Sequence, residues 1–315
     1  MNIVILDYLT LGDDLDLSKA SSFGTVTKYP YTKQEDAAER IKDADIVIVN
    51  KVKMNENTLK NANNLKLICE TATGYDNIDI EYCKRRGILV ANTPAYSTNC
   101  VAQVTVSMAC SLITHLHEYR SFVHSGSYQN SVSANMLKPV YHEMNGMTWG
   151  IIGFGNIGRG VAKIAEAFGC KVIVNKRTPV DDFTCVDLEY LLKNSDIISI
   201  HCPLTDKTRG MIGTNELDLM KKNAVIINVA RGAVWDEKAV AQAIIDEKIG
   251  GIGCDVFSYE PIDDEHPFVK ILGYDNVLLT PHMAWGSFES RTRCFNTVLS
   301  NIEAYLNGKR QNIIC

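Results

Sequence analysis

The sequence lacks the features that mark several large classes of protein. It contains no apolar run near the roughly 18 residues that a membrane-spanning helix needs. Its 315 residues carry a net charge of −5, so it has no cationic excess to attract nucleic acid or acidic lipid. The opening residues, Met1 to Asp7, have no basic start and include an acid, which favours a strand over a signal peptide.

The ten cysteines include no C-x-x-C pair, so the sequence offers no paired-cysteine metal site. Several, such as Cys110 and Cys254, stand in apolar segments, and we predict reduced, mostly buried thiols in a cytoplasmic protein without a bound metal. Tandem repeats and low-complexity tracts are also missing. The length suggests two soluble domains of ordinary size.

One stretch of the chain carries a ligand-binding pattern. Thr148–Ile152 predicts a strand, and the glycines of Gly153-x-Gly155-x-x-Gly158 follow it directly. The next residues, 157–168, have the spacing of an amphipathic helix. Strand, glycine turn and helix in this order favour a dinucleotide pyrophosphate site, because the turn brings backbone close to the phosphates. The N–H groups at the start of the helix would face the anion, and we assign this role to Asn156 and Ile157.

The residues that end the second strand bear on the choice of cofactor. In a dinucleotide-binding unit, an acid about 20 residues after the first glycine binds the ribose 2′-hydroxyl. Here the strand ends in Lys176, Arg177 and Thr178, and Asp181 and Asp182 come only after a proline. Cations at this point suit a 2′-phosphate. We therefore expect NADP(H) to be favoured, with NAD(H) as the alternative; an ordinary basic surface loop is the competing interpretation.

Strands and helices alternate along most of the chain and predict two α/β domains. We expect a Rossmann dinucleotide-binding domain over residues 99–284. We expect a smaller, flavodoxin-like parallel α/β substrate domain built from residues 1–98 and 285–315. Ser97 to Leu116 is predicted as one long helix, and the last helix, Ser287 to Leu306, is predicted to return to the first domain.

Three polar residues follow three predicted strands of the second domain. They are Arg231, Glu260 and His282. Ligands of such sheets bind at the carboxyl ends of the strands, so we expect the three side chains at one edge. Arginine forks onto a carboxylate, histidine donates a proton, and glutamate favours the protonated imidazole, a set that suits reduction of a 2-oxo acid. Taken singly, each also fits a structural role as a surface ion pair, a turn residue or a loop histidine.

The sequence resembles the D-isomer-specific 2-hydroxyacid dehydrogenases over essentially its whole length. Five motifs match in order: 150–158, 201–205, 228–232, 253–257 with Glu260-Pro261, and 280–282. The resemblance implies that Arg231, Glu260 and His282 are catalytic and that the Thr73-Gly74 backbone binds the substrate carboxylate. It also implies cofactor contacts, which would come from Pro203, Ala230 and Asp255. Dimerisation through residues 117–147 is implied in the same way.

Within that family the chain is most similar to the glycerate dehydrogenase (hydroxypyruvate reductase) branch. Gln103 stands where the family usually has glutamate, and Met147-Thr148-Trp149-Gly150 replaces the usual Lys-Thr-Leu-Gly. The substrate therefore stays open among hydroxypyruvate, glyoxylate, pyruvate and bulkier 2-oxo acids. Lys51 either binds a substrate acid group or is a solvated loop lysine.

Three other functions compete with a 2-oxo acid reductase. A non-catalytic, NAD(H)-sensing corepressor-like protein would keep the fold without turnover. A formate dehydrogenase-like enzyme would carry glutamine beside the histidine, and Glu260 argues against it. A phosphoglycerate dehydrogenase with a regulatory tail is disfavoured because the sequence stops at Cys315, soon after its last predicted helix.

Overall fold

The computed structural model describes residues 1–315 and divides into two compact units. One comprises Met1–Ser97 and Gly286–Cys315, and the other comprises Thr98–Trp285. Each contains one sheet whose strands are all parallel, and helices join most of the successive strands, as the α/β prediction required. No single helix is long and apolar enough to cross a membrane; only the bent pair Thr98–Ile113 and Leu116–His124 passes such a test together.

The first unit has a five-stranded sheet in the order β2-β1-β3-β4-β5, which is the flavodoxin-like order. Its strands are β1 Asn2–Ile5, β2 Thr25–Lys28, β3 Ile46–Val49, β4 Leu67–Glu70 and β5 Leu89–Ala91. Its helices are α1 Ala37–Arg40, α2 Glu56–Leu59, α3 Ile80–Arg86 and α10 Phe288–Leu306. The sequence did not reveal β2, because this edge strand is largely polar and exposed. Helix α10 packs beside β4, where Cys294 Sγ donates to the Thr71 carbonyl at 3.2 Å.

The second unit has a seven-stranded sheet in the order β12-β11-β10-β9-β6-β7-β8. Its strands are β6 Thr148–Ile152, β7 Lys171–Asn175, β8 Thr184–Cys185, β9 Ile197–Ile200, β10 Val225–Asn228, β11 Gly251–Cys254 and β12 Val277–Leu279. Its helices are α4 Thr98–Ile113, α5 Leu116–His124, α6 Asn156–Ala167, α7 Leu188–Asn194, α8 Thr214–Asp218 and α9 Glu237–Ile245. Renumbered from β6, the order is the Rossmann 3-2-1-4-5-6 with one strand added, and it reverses between β6 and β9.

The helix expected to run from Ser97 to Leu116 is broken. Helix α4 ends at Ile113, His115 has a φ of 50°, and α5 starts at Leu116. A left-handed residue cannot continue a right-handed helix, so the chain changes direction at this histidine. Helix α4 buries eight residues in its unit, whereas α5 buries none.

Candidate active site

The glycine turn lies at the point where the strand order of the second unit reverses. Gly153 has a φ of 88°, and a Cβ atom there would lie 2.5 Å from the Cys202 nitrogen, so only glycine fits between β6 and the end of β9. A Cβ on Gly158 would lie 2.5 Å from the Gly153 carbonyl oxygen. Gly155 differs, because a Cβ there would meet no protein atom within 4 Å. The turn is therefore closed on its protein side and open on the side that Gly155 faces.

Helix α6 begins directly after this open side. Its N-cap residue is Gly155, and no side chain caps the first turn. The first N–H groups of any helix have no partner within the helix, and they carry its positive dipole end. Asn156, Ile157 and Gly158 supply those groups here. An uncapped helix start beside open space is what a pyrophosphate needs, so these residues fit a dinucleotide.

Three hydrogen-bonded side chains, Trp149, Ser199 and His201, link β6 to β9 and to the segment that follows it. Trp149 is fully buried, and its Nε1 donates to Ser199 Oγ at 2.9 Å. Ser199 Oγ also lies 3.0 Å from His201 Nε2. Burial lowers the pKa of His201 to about 3, so the ring is neutral at physiological pH. The tryptophan that departs from the family pattern therefore has a structural partner in this chain.

The end of β7 carries the cations that the sequence singled out. Asn175 ends the strand, and its amide donates to the Val186 carbonyl at 3.0 Å. Lys176 is partly buried, while Arg177 and Thr178 are exposed. Asp182 is paired with Arg159 from the first turn of α6, and that hydrogen bond, with a smaller effect from Lys176, lowers the pKa of Asp182. The cations of this edge are Arg159, Lys176 and Arg177, and its acids are Asp181 and Asp182. The sequence did not reveal the pairing of Arg159 with Asp182.

Glu260 and His282 are brought together directly. Glu260 Oε2 lies 2.7 Å from His282 Nδ1, and the two side chains are 30% and 28% exposed. The other carboxylate oxygen, Oε1, accepts the Phe257 N–H at 3.0 Å. His282 has a φ of 53°, a left-handed conformation that a non-glycine residue rarely adopts. With Nδ1 turned to the carboxylate, Nε2 is the ring nitrogen left for another partner.

Arg231 lies beyond the end of β10 on a short segment fixed by Asn228. The Asn228 amide donates to the Arg231 carbonyl at 2.9 Å, and its Oδ1 accepts the Ala230 N–H at 3.0 Å. The guanidinium Nη1 donates to the Ala230 carbonyl at 2.8 Å. Arg231 is extended and only partly buried. A buried asparagine at the strand end therefore sets the direction in which this arginine leaves the sheet.

Asp255 joins the end of β11 to the segment that carries His282. It is 1% exposed, and its carboxylate accepts the Thr280 hydroxyl at 2.5 Å. It also accepts the N–H groups of Met283 and Ala284, each at 2.9 Å. Burial raises the pKa of Asp255, and these three hydrogen bonds oppose that rise. The Asp255 carboxylate therefore ties the chain on both sides of His282 to the end of β11.

The other expected cofactor contacts lie at neighbouring strand ends. Pro203 follows β9, is exposed, and accepts the Thr208 hydroxyl at its carbonyl at 2.7 Å. The Ala230 carbonyl follows β10 and already accepts Arg231 Nη1. Both belong to the edge that carries the glycine turn, which is the edge where ligands of such sheets bind.

In the first unit, the loop after β3 carries Lys51. Asp7, which follows β1, is 5% exposed and accepts the N–H groups of Asn50 at 3.1 Å and Lys51 at 2.7 Å. Strands β1 and β3 are the pair at which the order of this sheet reverses. Burial raises the pKa of Asp7, while these hydrogen bonds act against it. The exposed Lys51 side chain therefore stands on a firmly held backbone.

The loop after β4 carries Thr73 and Gly74. Thr73 Oγ1 donates to the Thr93 carbonyl at 2.9 Å, and the Asn92 amide donates to the Thr73 carbonyl at 2.7 Å. Asn77 ties this region to the Lys51 loop by donating to the Asn50 and Val52 carbonyls and to Glu70 Oε2.

The carboxyl group of Glu70 is fully buried, and burial raises its pKa well above the ordinary value. The sequence pointed to neither Asn77 nor Glu70, because buried partners of loop backbone leave no local pattern.

No group of three or more histidine, cysteine, aspartate or glutamate side chains is placed to hold a metal ion.

Comparison with known proteins gives the same family along two routes. Residues 106–284 match the model described as the D-isomer specific 2-hydroxyacid dehydrogenase, NAD binding domain. The whole chain is 34% identical to a hydroxypyruvate reductase of Blautia hydrogenotrophica, covering 99% of that protein. It is 39% identical to a glycerate dehydrogenase of Methylorubrum extorquens, over 89% of this chain and 88% of the relative.

Solved structures agree with the fold. An acyclic imino acid reductase (Bsp5) in complex with NADPH and D-Arg is 31% identical, with a TM-score of 0.86 over 100% of both chains. A D-lactate dehydrogenase from Aquifex aeolicus complexed with NAD and lactic acid is 30% identical, with a TM-score of 0.84 over 98% of this chain and 96% of the other. These relatives include both an NADPH complex and an NAD complex.

Proposed function

The chain belongs to the D-isomer specific 2-hydroxyacid dehydrogenase family, and from that premise we propose that it reduces a small 2-oxo acid to the D-2-hydroxy acid, with hydroxypyruvate and glyoxylate as the preferred substrates. The observation that carries the proposal is the 2.7 Å contact between Glu260 and His282. Together with Arg231 it supplies a proton donor, its carboxylate partner and a carboxylate-binding cation in one unit.

Arg231 binds and orients the substrate. Its planar guanidinium presents paired N–H groups that match a carboxylate and the neighbouring carbonyl oxygen of a 2-oxo acid. The Asn228 bonds hold the backbone from which this side chain extends. The Thr73-Gly74 backbone and Lys51 are the proposed substrate-binding groups of the first unit.

His282 moves the proton. When bound, the reduced nicotinamide supplies the hydride that reaches the carbonyl carbon. His282 Nε2 gives its proton to the carbonyl oxygen at the same centre, so the carbonyl becomes an alcohol and the ring becomes neutral. Glu260 holds Nδ1, stabilises the protonated ring and keeps Nε2 directed outward.

The cofactor would be held along the edge that runs from the glycine turn to β7. Gly153, Gly155 and Gly158 with the start of α6 would bind the pyrophosphate, because the side that Gly155 faces is open and uncapped. Lys176, Arg177 and Thr178 would bind a 2′-phosphate, and we propose a preference for NADPH over NADH. Beside them, Asp182 is paired with Arg159. Pro203, the Ala230 carbonyl and Asp255 are the proposed neighbours of the nicotinamide.

We also propose that two copies associate through residues 117–147. Helix α5 buries no residue, and the chain beyond it exposes large apolar side chains. The exposed fractions are 76% at Leu137, 65% at Val140 and 51% at Tyr141. Such a cluster is typical of an interface, and a second copy of this chain is its proposed occupant. Sedimentation velocity should give about twice the monomer mass, and a monomer for Leu137→Asp; a monomeric native protein would rule the dimer out.

Loss of absorbance at 340 nm tests the function. Purified protein is mixed with NADPH or NADH and with hydroxypyruvate, glyoxylate, pyruvate or 2-oxo-isocaproate, and kcat/KM is measured for each pair. The proposal expects hydroxypyruvate and glyoxylate with NADPH to give the highest values. Turnover confined to bulkier acids would contradict the assignment of hydroxypyruvate and glyoxylate as substrates. Cofactor binding without turnover of any acid would refute the proposed reductase activity.

A further inference from the structure

We infer that Glu237 is a positioning residue of this active site, acting through the turn that carries Glu260. The inference rests on the proposed function of Glu260 and His282. Glu237 opens helix α9, is 7% exposed, and stands on none of the strand ends that carry the three proposed catalytic side chains. Its carboxylate is directed into the protein, at the backbone of residue 258.

The Glu237 carboxylate accepts two hydrogen bonds from Ser258 and lies beside His266. Oε1 accepts the Ser258 N–H at 2.8 Å, and Oε2 accepts the Ser258 hydroxyl. His266 Nε2 lies 3.1 Å from Oε2, at an angle outside that of a regular hydrogen bond. His266 Nδ1 accepts the Phe268 N–H at 3.2 Å, so a neutral ring carries its proton on Nε2, facing Glu237. The hydrogen bonds that satisfy the buried Glu237 carboxylate thus come from a single residue, Ser258.

This turn, residues 257–260, leads directly to the proposed catalytic pair. Phe257 N–H binds Glu260 Oε1, and Glu260 Oε2 binds His282 Nδ1. The rings on either side of Ser258 pack on the buried His266 ring, with centroids 5.6 Å away for Phe257 and 5.2 Å away for Tyr259. Holding Ser258 therefore holds the chain on both sides of it.

The same turn contacts the segment that carries Arg231. A Cβ on Gly232 would lie 2.0 Å from the Phe257 carbonyl carbon and 2.2 Å from the Ser258 nitrogen. The peptide between Phe257 and Ser258 therefore lies flat against the residue that follows Arg231. Glu237 fixes this peptide from its N–H side, so one buried carboxylate sets the spacing between the arginine segment and Glu260.

Glu237→Gln tests the inference. Glutamine keeps the size but turns an amide N–H₂ toward a neighbouring N–H or O–H group, so the turn must move and Glu260 loses its alignment on His282. We expect kcat for 2-oxo acid reduction to fall by about tenfold, with KM for the cofactor little changed. The alkaline loss of activity should begin at lower pH. Besides Glu260, the charged group facing His282 is Asp255, which this variant leaves in place.

Asp236→Asn is the matched control. Asp236 is the next residue along the chain, and its carboxylate caps α9 by accepting the N–H groups of Lys238 and Ala239, a role that asparagine also fills. The control removes the same charge without touching the turn. Ser258→Ala removes only the hydroxyl donor and should lower kcat in the same direction by less. The melting temperature of each variant is also measured, so that a loss of activity caused only by unfolding is recognised.

A second measurement separates this inference from the proposed function. The ring signals of His282 are followed by NMR against pH in the full chain without substrate, with His282→Asn to assign them. Glu237→Gln should move the titration midpoint to lower pH, and Asp236→Asn should not. A shifted midpoint in a protein that reduces no 2-oxo acid would leave Glu237 a positioning residue and refute the reductase. An active enzyme in which both variants match the native protein in kcat and in titration would overturn the inference.

Discussion

Glu260→Gln removes the charge beside His282 and keeps the shape of the side chain. The two groups lie 2.7 Å apart, and both are partly exposed, at 30% and 28%. Unit charges at that separation in bulk water attract by about 1.5 kcal/mol, and about 1.36 kcal/mol corresponds to one pH unit. Partial burial strengthens the attraction, and the hydrogen bond that glutamine retains offsets some of the loss. We therefore expect an effect of about one pH unit.

The sign follows from the direction of proton transfer. Reduction needs His282 with its proton, so activity is present at low pH and is lost as pH rises. Without the carboxylate the protonated ring is less stable, and the alkaline limb of kcat/KM should move to lower pH by about one unit. The assay is the 340 nm rate from pH 5 to pH 10 at constant ionic strength. An alkaline limb that does not move would refute the pairing as the source of the reactive proton.

Three further predictions concern binding groups. Arg231→Lys keeps the charge but loses the planar fork, so kcat/KM for the 2-oxo acid should fall by at least about tenfold, and full activity would exclude that role. Gly158→Ala should lower the free energy of unfolding in urea by about 1–3 kcal/mol, because its methyl meets the neighbouring turn, whereas Gly155→Ala should leave stability unchanged and weaken NADPH binding in a titration. Equal effects of the two substitutions on stability and on NADPH binding would contradict the assignment of the open side of the glycine turn at Gly155 to the cofactor. Lys176→Asp combined with Arg177→Gln should reverse the cofactor preference through KM, and a native enzyme that favours NADH would contradict that assignment.

The sequence was most informative where backbone geometry restricts the residue type. Gly153 and Gly158 have contacts that no side chain allows, so the pattern that predicted a turn is the same one that the packing requires. The ends of the strands were equally predictable, because buried parallel strands are continuous apolar runs such as Ile46–Val49. The polar residues just beyond such runs fall on one edge of the sheet.

The sequence did not reveal the residues that support these side chains. Glu237 and Ser258 are 21 positions apart, and only the packing of α9 against the turn brings them together. The edge strands β2 and β8 were missed because one is polar and the other has only two residues. The break at His115 was missed because a left-handed residue within an apolar periodicity does not change the pattern of side chains.

Transfer of deuterium tests the central claim most directly. The protein is incubated with hydroxypyruvate and NADPH deuterated at C4 of the nicotinamide, and the product is analysed by mass spectrometry and chiral chromatography. The account predicts D-glycerate with one deuterium on C2, formed by the native protein and lost with His282→Ala although that variant still binds NADPH. An L product, a product without deuterium, or undiminished turnover by the variant would contradict it.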